Sequence, residues 1–322
     1  MRLPIRVRAR AYSSSANLGP GFDILAVAHT AFFDEIEMEI DRGNGRVVIE
    51  SVDGPYAPYV DRDANTAIAA LRTMIGELGL EIDIRLRIWK GVPVAKGLGS
   101  SGATAAAAVR GLAEALRLRD LGALIRFAGA GEAVAAGEPH YDNVAASIVG
   151  GFVALLDRKT MSFRSWYPEA YLVVAVPRTP FVKGKTALMR SVIPRSVELS
   201  KVVVNATNLL KIVLGLEIGN LALVGEGMED YIVEPARARY VPCYYEVRNA
   251  AKRCGALGVA LSGAGPSIIA LCSDRERAEI VARCMEDAYR ECGTELEHLV
   301  IARPAPGAMA RVVEGGGNAE HS

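Results

Sequence analysis

Residues 93–103 read P-V-A-K-G-L-G-S-S-G-A: three glycines, two serines and a lysine in eleven positions. The alternating apolar and charged run I-D-I-R-L-R-I-W (82–89) precedes it, and the alanine-rich run T-A-A-A-A-V-R-G-L-A-E-A-L (104–116) follows it. The first has the period of a strand and the second the composition of a buried helix. A strand therefore delivers the chain to Gly97, Gly99 and Gly102, and a helix starts at about Ser101. Glycine permits sharp turns and close approach of a ligand to the backbone. The unpaired amides of a helix start attract anions, and one of the two hydroxyls is a suitable Mg²⁺ ligand. The spacing is neither G-x-x-x-x-G-K-[ST] nor G-x-G-x-x-G, and Lys96 precedes the glycines. On spacing alone, an anion-holding loop and a glycine-rich turn whose serines cap the helix both remain open.

The 322 residues suffice for one large domain or two ordinary ones. Lys+Arg and Asp+Glu are equal at 37, so no broad charge bias favours nucleic acid or an acidic membrane. The longest uncharged runs, Val144–Leu156 and Gly255–Cys272, are too short or too glycine-rich to span a bilayer. The five cysteines, Cys243, Cys254, Cys272, Cys284 and Cys292, form no C-x-x-C pair. Their odd number and the absence of a secretion signal predict reduced thiols in a cytoplasmic protein, and their spacing predicts no zinc cluster. The basic N-terminus alternates Ile5, Val7, Ala9 and Ala11 with Arg6, Arg8 and Arg10, which is strand period rather than a transit peptide.

Periodicity predicts strands at 5–11, 32–40, 46–51 and 82–89, with helices at 64–79, 101–117 and 120–137. A glycine-rich strand follows at 148–156. The polar break S-F-R-S-W-Y-P-E then sets a domain boundary near residue 165. Beyond it come a strand at 171–177, helices at 186–191, 196–228 and 242–254, strands at 256–261 and 267–272, a helix at 274–292 and a closing strand in E-L-E-H-L-V-I-A-R. Strands and helices mix without a regular βαβ repeat, which predicts an α+β fold. The expected organisation is two domains, 1–165 and 166–312, with a disordered tail at 313–322.

The loop V-P-V-A-K-G-L-G-S-S-G-A resembles the P-x-x-x-G-L-G-S-S-A-A loop of the GHMP kinases, with Gly102 where alanine is usual. S-S-S-A-N-L-G-P-G-F-D (13–23) is similar to the first motif of that superfamily, in the version of its homoserine kinase branch. G-V-A-L-S-G-A-G-P-S-I-I-A-L (258–271) is similar to its third motif. E-P-H-Y-D-N (138–143) and V-E-P-A-R (233–237) also look like segments of the homoserine kinase branch. Five such segments in order carry much more weight than one. The resemblance implies ATP-dependent phosphorylation of L-homoserine on the way to threonine. It also implies an N-terminal domain like ribosomal protein S5 domain 2, a ferredoxin-like C-terminal domain, and a homodimer for which the sequence shows no interface.

By the same resemblance, Pro93, Val94, Ala95, Lys96, Gly97, Leu98, Gly99, Ser100, Ser101, Gly102 and Ala103 hold the ATP phosphates. Asn65 lies near the adenine, and Ser101 with Glu132 holds Mg²⁺. Glu132 has independent support: it is the only charged residue between Arg126 and Glu138 on an otherwise small, apolar helix, and a buried carboxylate needs a partner. Homoserine is a zwitterion with a hydroxyl, which calls for an acid or amide at one end and an arginine at the other. Asn17, Asp23 and His140 match substrate-site residues of the family, and Arg190 and Arg237 match its carboxylate-binding arginines. Asn143 and Thr186 orient the hydroxyl, and Asp142 is the positional candidate for a base.

Each of these residues also has an ordinary reading. Asn65 and the serines can be helix caps, Asp23 a turn stabiliser, Glu132 a solvated helix residue, and Arg190 and Arg237 surface arginines. S-G-A-G-P-S (262–267) reads both as a tight hairpin and as support for the phosphate loop. The rival functions are another small-molecule kinase of the superfamily, acting on mevalonate or shikimate, and a nucleotide-binding protein without turnover.

Overall fold

The computed structural model describes residues 3–136, 140–182 and 184–313. Two sheets organise them. In the first, β1 (Ile5–Asn17) pairs with β2 (Gly21–Arg42), whose far half pairs with β4 (Ile82–Lys90). β3 (Val47–Asp53) runs parallel to β4, and α1 (Thr66–Glu77) makes the crossover that parallel neighbours require. The near half of β2 pairs with β5 (Phe152–Asp157), which pairs with β6 (Ser162–Trp166). The second sheet has β7 (Tyr171–Pro177), β8 (Gly258–Leu261), β9 (Ile268–Cys272) and β10 (Leu296–Ala302) in the order β10-β7-β9-β8, all antiparallel. Numbered within the sheet this is 4-1-3-2, with helices before β8 and before β10: the split βαβ arrangement of a ferredoxin-like layer.

Helices α2 (Ser100–Leu116), α3 (Leu121–Ala136) and α4 (Tyr141–Val149) pack over the first sheet. Its core face carries Ile36, Met38 and Ile40 of β2 and Ile84, Leu86 and Ile88 of β4, all buried at period two. The run Ala105–Ala108 of α2 lies on that face, where small side chains let helix and sheet approach closely. The approach is tight enough at Gly111 that a Cβ there would sit 2.5 Å from the Met38 Cε.

Several expectations need correction. Strands 5–11 and 32–40 are parts of much longer strands, because β1 continues through the three serines and β2 bends from β5 to β4. The polar break at 162–166 is strand β6, whose Arg164 and Trp166 bond Glu217 on the exposed side. The helix expected over 196–228 is two, α6 (Leu199–Ile218) and α7 (Leu221–Gly227). Gly219 closes the first at φ +71°, and the Asn220 side chain caps the second. α4 and the short α8 (Val233–Ala238) escaped periodicity altogether. The closing strand β11 (Met309–Val313) pairs with β1, so the chain ends in the sheet where it began. Residues 314–322, most of the expected tail, lie outside the described residues.

The cysteines are not all reduced: Cys243 bonds Cys292 and Cys254 bonds Cys284, leaving only Cys272 free, buried in β9. The reason is tertiary. α9 (Tyr244–Arg253) and α10 (Arg275–Glu291) pack against each other, and the outer and inner pairs nest as an antiparallel helix pair demands. No short-range motif encodes that arrangement.

Candidate active site

A cleft enclosing about 1080 Å³ opens between the two sheets. β4 delivers the chain to residues 91–99, and α2 begins at Ser100 with Gly99 before it at φ +62°. No side chain caps this helix, and the Ser100 hydroxyl turns back to the Val92 carbonyl at 3.0 Å. The serine-cap reading therefore fails. The first intrahelical bond is from the Ala103 amide to Gly99 O at 2.8 Å, which leaves the earlier amides for a ligand.

The glycines of the loop serve the protein's own packing. A Cβ on Gly97 would lie 2.2 Å from Ser262 O, and one on Gly99 would lie 2.2 Å from Ser14 Oγ. At Gly102 a Cβ would meet nothing nearer than Val144 Cγ2 at 3.5 Å, so the departure from alanine there is sterically neutral. Three distant segments thus converge on the loop. The Ser262 hydroxyl donates to Gly97 O at 2.6 Å and contacts the Ser15 hydroxyl, and the Ser14 hydroxyl donates to Asn143 Oδ1 at 3.0 Å. Segment 262–267 is a hairpin joining β8 to β9 as well as a support of the loop: the Ser267 amide bonds Lys96 O while the Ser262 amide bonds Ser267 O. Ser13 and Ser15 flank buried His29, which burial drives down to about 3 and so keeps neutral.

Beneath the loop lies a network that sequence reasoning missed. Asp34 Oδ1 accepts the Gly91 and Val92 amides at 3.0 Å each, and its Oδ2 accepts the Thr104 hydroxyl and the Lys90 ammonium. Lys90 also donates to Ser100 O at 2.7 Å, so one buried ion pair fastens both ends of the loop. Burial lowers the Lys90 pKa against the pull of Asp34. A usable signal was present: Lys90 continues the even-numbered series Ile82, Ile84, Leu86, Ile88, and strand period puts it on the buried face.

Val94, Ala95, Gly97, Leu98, Gly99, Ser100 and Ser101 line the cleft; Pro93, Lys96, Gly102 and Ala103 do not. The Lys96 ammonium instead joins the two sheets, bonding Pro177 O, Thr179 and Glu297. Lys185 makes a similar tie, from the start of α5 (Lys185–Ser191) to Ala95 O and Gly265 O. Burial and the nearby Lys96 and Arg237 bring its pKa down to about 7. Asn65 is the cap of α1, its Oδ1 accepting the Ala67 amide at 2.9 Å, and it also lines the cleft. Glu132 is buried rather than solvated. One of its oxygens lies 3.6 Å from His140 Nδ1, and the other, Oε1, has no hydrogen-bond partner. Glu132 raises the His140 pKa. Such an orphaned buried carboxylate oxygen suits a cation.

The acceptor end holds charges of both signs. Asp23 pairs with Arg190 at 2.7 Å, with Arg158 at 3.6 Å from the outer side, and its amide bonds Asn17 Oδ1. Asn17 in turn donates to Gly263 O. Arg237 is buried and spends its donors on Met189 O and Gly263 O, and burial lowers its pKa to about 10. Both arginines stack over the Phe22 ring. Neither is a plain surface arginine. Asp142 is buried, and burial with repulsion from Asp23 raises it to about 6. Asn143, Thr186 and His140 complete the wall.

A cleft that joins a free helix start to a pocket of paired charges defines a phosphotransferase acting on a small charged acceptor. The GHMP kinases N terminal domain matches residues 65–151, and the GHMP kinases C terminal domain matches 209–291. The homoserine kinase of Aeropyrum pernix is 45% identical over 308 residues, covering 94% of this chain and 97% of its own. That of Pyrobaculum neutrophilum is 41% identical over 301 residues, covering 93% and 99%. The crystal structure of homoserine kinase from Cytophaga hutchinsonii superposes with a TM-score of 0.88 at 29% identity, covering 97% of this chain and 99% of that one. The Leishmania-type neighbour, L. major mevalonate kinase, shares the fold alone, at a TM-score of 0.66 and 18% identity. The chain belongs to the homoserine kinase family of the GHMP kinases.

Proposed function

We propose that the protein transfers the γ-phosphoryl group of ATP to the hydroxyl of L-homoserine, giving O-phospho-L-homoserine for threonine synthesis. The observation that carries this reading is the shared cleft: the uncapped start of α2 and the cluster Asp23, Arg190 and Arg237 line one space. In the free protein Asp23 and Arg190 satisfy each other. A zwitterion inserts by exchange, its ammonium replacing Arg190 at Asp23 and its carboxylate taking the released guanidinium and Arg237. Mevalonate has no ammonium to offer Asp23.

The division of labour is between residues 1–165, which supply the phosphate loop, and 166–312, which supply both arginines and Thr186. The amides at Gly97–Ser101 hold the triphosphate, with Asn65 toward the adenine. Ser101 and Glu132 would hold Mg²⁺, and the unpartnered Glu132 Oε1 fits that role. Bound there, the metal would neutralise triphosphate charge. Asn143, fixed by Ser14, and Thr186 orient the acceptor hydroxyl. Its proton passes to the transferred phosphoryl group, without a carboxylate base. An ADP-release assay run with homoserine, mevalonate and shikimate side by side tests the reading. Turnover at least a hundredfold higher on homoserine is expected, and equal or greater turnover on either other alcohol refutes it.

A further inference from the structure

The outer face of α6 is the largest apolar feature that the site does not use. This helix buries Asn208, Ile212, Gly215 and Leu216 against its own chain. At 100° per residue the opposite face carries Leu199, Val203, Ala206, Leu210, Leu214 and Ile218. These side chains are exposed, Leu199 by 76%, Leu210 by 56% and Ile218 by 67%. The stripe runs the length of a helix about 30 Å long, and contiguous apolar patches of that kind mark interaction surfaces. By length and composition α6 is also apolar enough to cross a membrane, although only 28% of it is buried.

We infer that the α6 stripe is the contact between two copies of this chain, related by a two-fold axis that packs α6 antiparallel against its counterpart. The register of the stripe matches itself on reversal. Turned end for end about its midpoint, Leu199 meets Ile218, Val203 meets Leu214 and Thr207 meets Leu210. An isologous contact requires this property, because the same patch must serve both partners. A lipid surface or an unrelated partner makes no such demand. Charge agrees with the arrangement. Antiparallel packing sets the positive start of each helix beside the negative end of the other. The acidic side chain on the stripe, Glu217, already bonds Arg164 and Trp166 of its own chain, so the contact would bury no unpaired carboxylate. Neither α6 nor its neighbours α7 and β6 contribute to the lining of the cleft, so the contact leaves the cleft open.

Sedimentation equilibrium on the full chain from 0.5 to 50 μM, with the variant Leu210→Asp measured alongside, tests this inference. The native chain is expected to be a dimer throughout the upper decade. The variant is expected to associate at least a hundredfold more weakly, with unchanged far-UV circular dichroism and unchanged ADP release. Val203→Glu, one turn away, should repeat the result. A native chain that stays monomeric at 50 μM, a dimer that survives both substitutions, or a monomer that floats with anionic phospholipid vesicles through this face would overturn it.

Discussion

Gly97 and Gly102 lie five residues apart in one loop, and their surroundings predict opposite outcomes for the same substitution. Gly97 has φ +78° and faces Ser262 O across a space with no room for a methyl group, whereas Gly102 has ordinary van der Waals room. Gly97→Ala should raise the KM for ATP at least tenfold and lower the melting temperature, and Gly102→Ala should change neither measurably. Asp142 makes a pH argument. Its folded pKa of about 6 lies above the unfolded value of 3.8, because burial and Asp23 disfavour its charge. An acid raised in this way binds more protons folded than unfolded, so its contribution to stability falls as pH rises from about 4 to about 6. Asp142→Asn should therefore melt higher than the native protein at pH 7.5, with the gap closing below pH 4. If turnover needs no carboxylate base, the variant also keeps kcat within about tenfold. Complete loss of turnover with both substrates still bound would restore Asp142 as the base. Lys185, at about 7 and tied to the Ala95 carbonyl, is partly deprotonated at pH 7.5. A triphosphate on that loop favours the ammonium, so ATP binding should take up protons. Calorimetry in two buffers of different ionisation enthalpy reads this uptake, which should vanish in Lys185→Met.

At the scale of elements, the phosphate loop is held by a strand end and a helix start that share one buried ion pair, Asp34 with Lys90. Removing one partner strands the other charge, so Lys90→Met should cost about 3–5 kcal/mol of stability. The double variant Asp34→Asn, Lys90→Met should recover part of that loss in chemical denaturation. Most elements near the site were legible in the sequence. The alternation of β4, the alanine run of α2 and the uncharged flanks of Glu132 are local patterns, and local patterns survive in one dimension. What escaped depends on contacts across the chain. α4 is only nine residues and starts at a histidine that makes no side-chain cap. β6 is a polar edge strand that reads as a loop until β5 lies beside it. The roles of Ser14, Ser15 and Ser262 exist only once three segments more than a hundred residues apart have met.

For the whole molecule, the order of the motifs fixed the family, while the return of β11 to β1 and the nested disulfides were invisible because both are long-range pairings. The two disulfides span 49 and 30 residues, and loop closure of that size restricts the unfolded chain by about 4 kcal/mol each. Reduction should therefore lower the melting temperature by more than ten degrees without changing kcat at 25 °C, since none of the four cysteines lines the cleft. An unchanged melting curve after verified reduction would remove them from the account of stability. The central claim concerns where two ligands meet. A crystal structure with L-homoserine and a non-hydrolysable ATP analogue should show the triphosphate on the amides of Gly97–Ser101. The amino acid should lie between Asp23 and Arg237, with its hydroxyl directed at the terminal phosphate beside Asn143. A triphosphate bound elsewhere, or an acceptor pocket that stays closed by the Asp23–Arg190 pair, would contradict it.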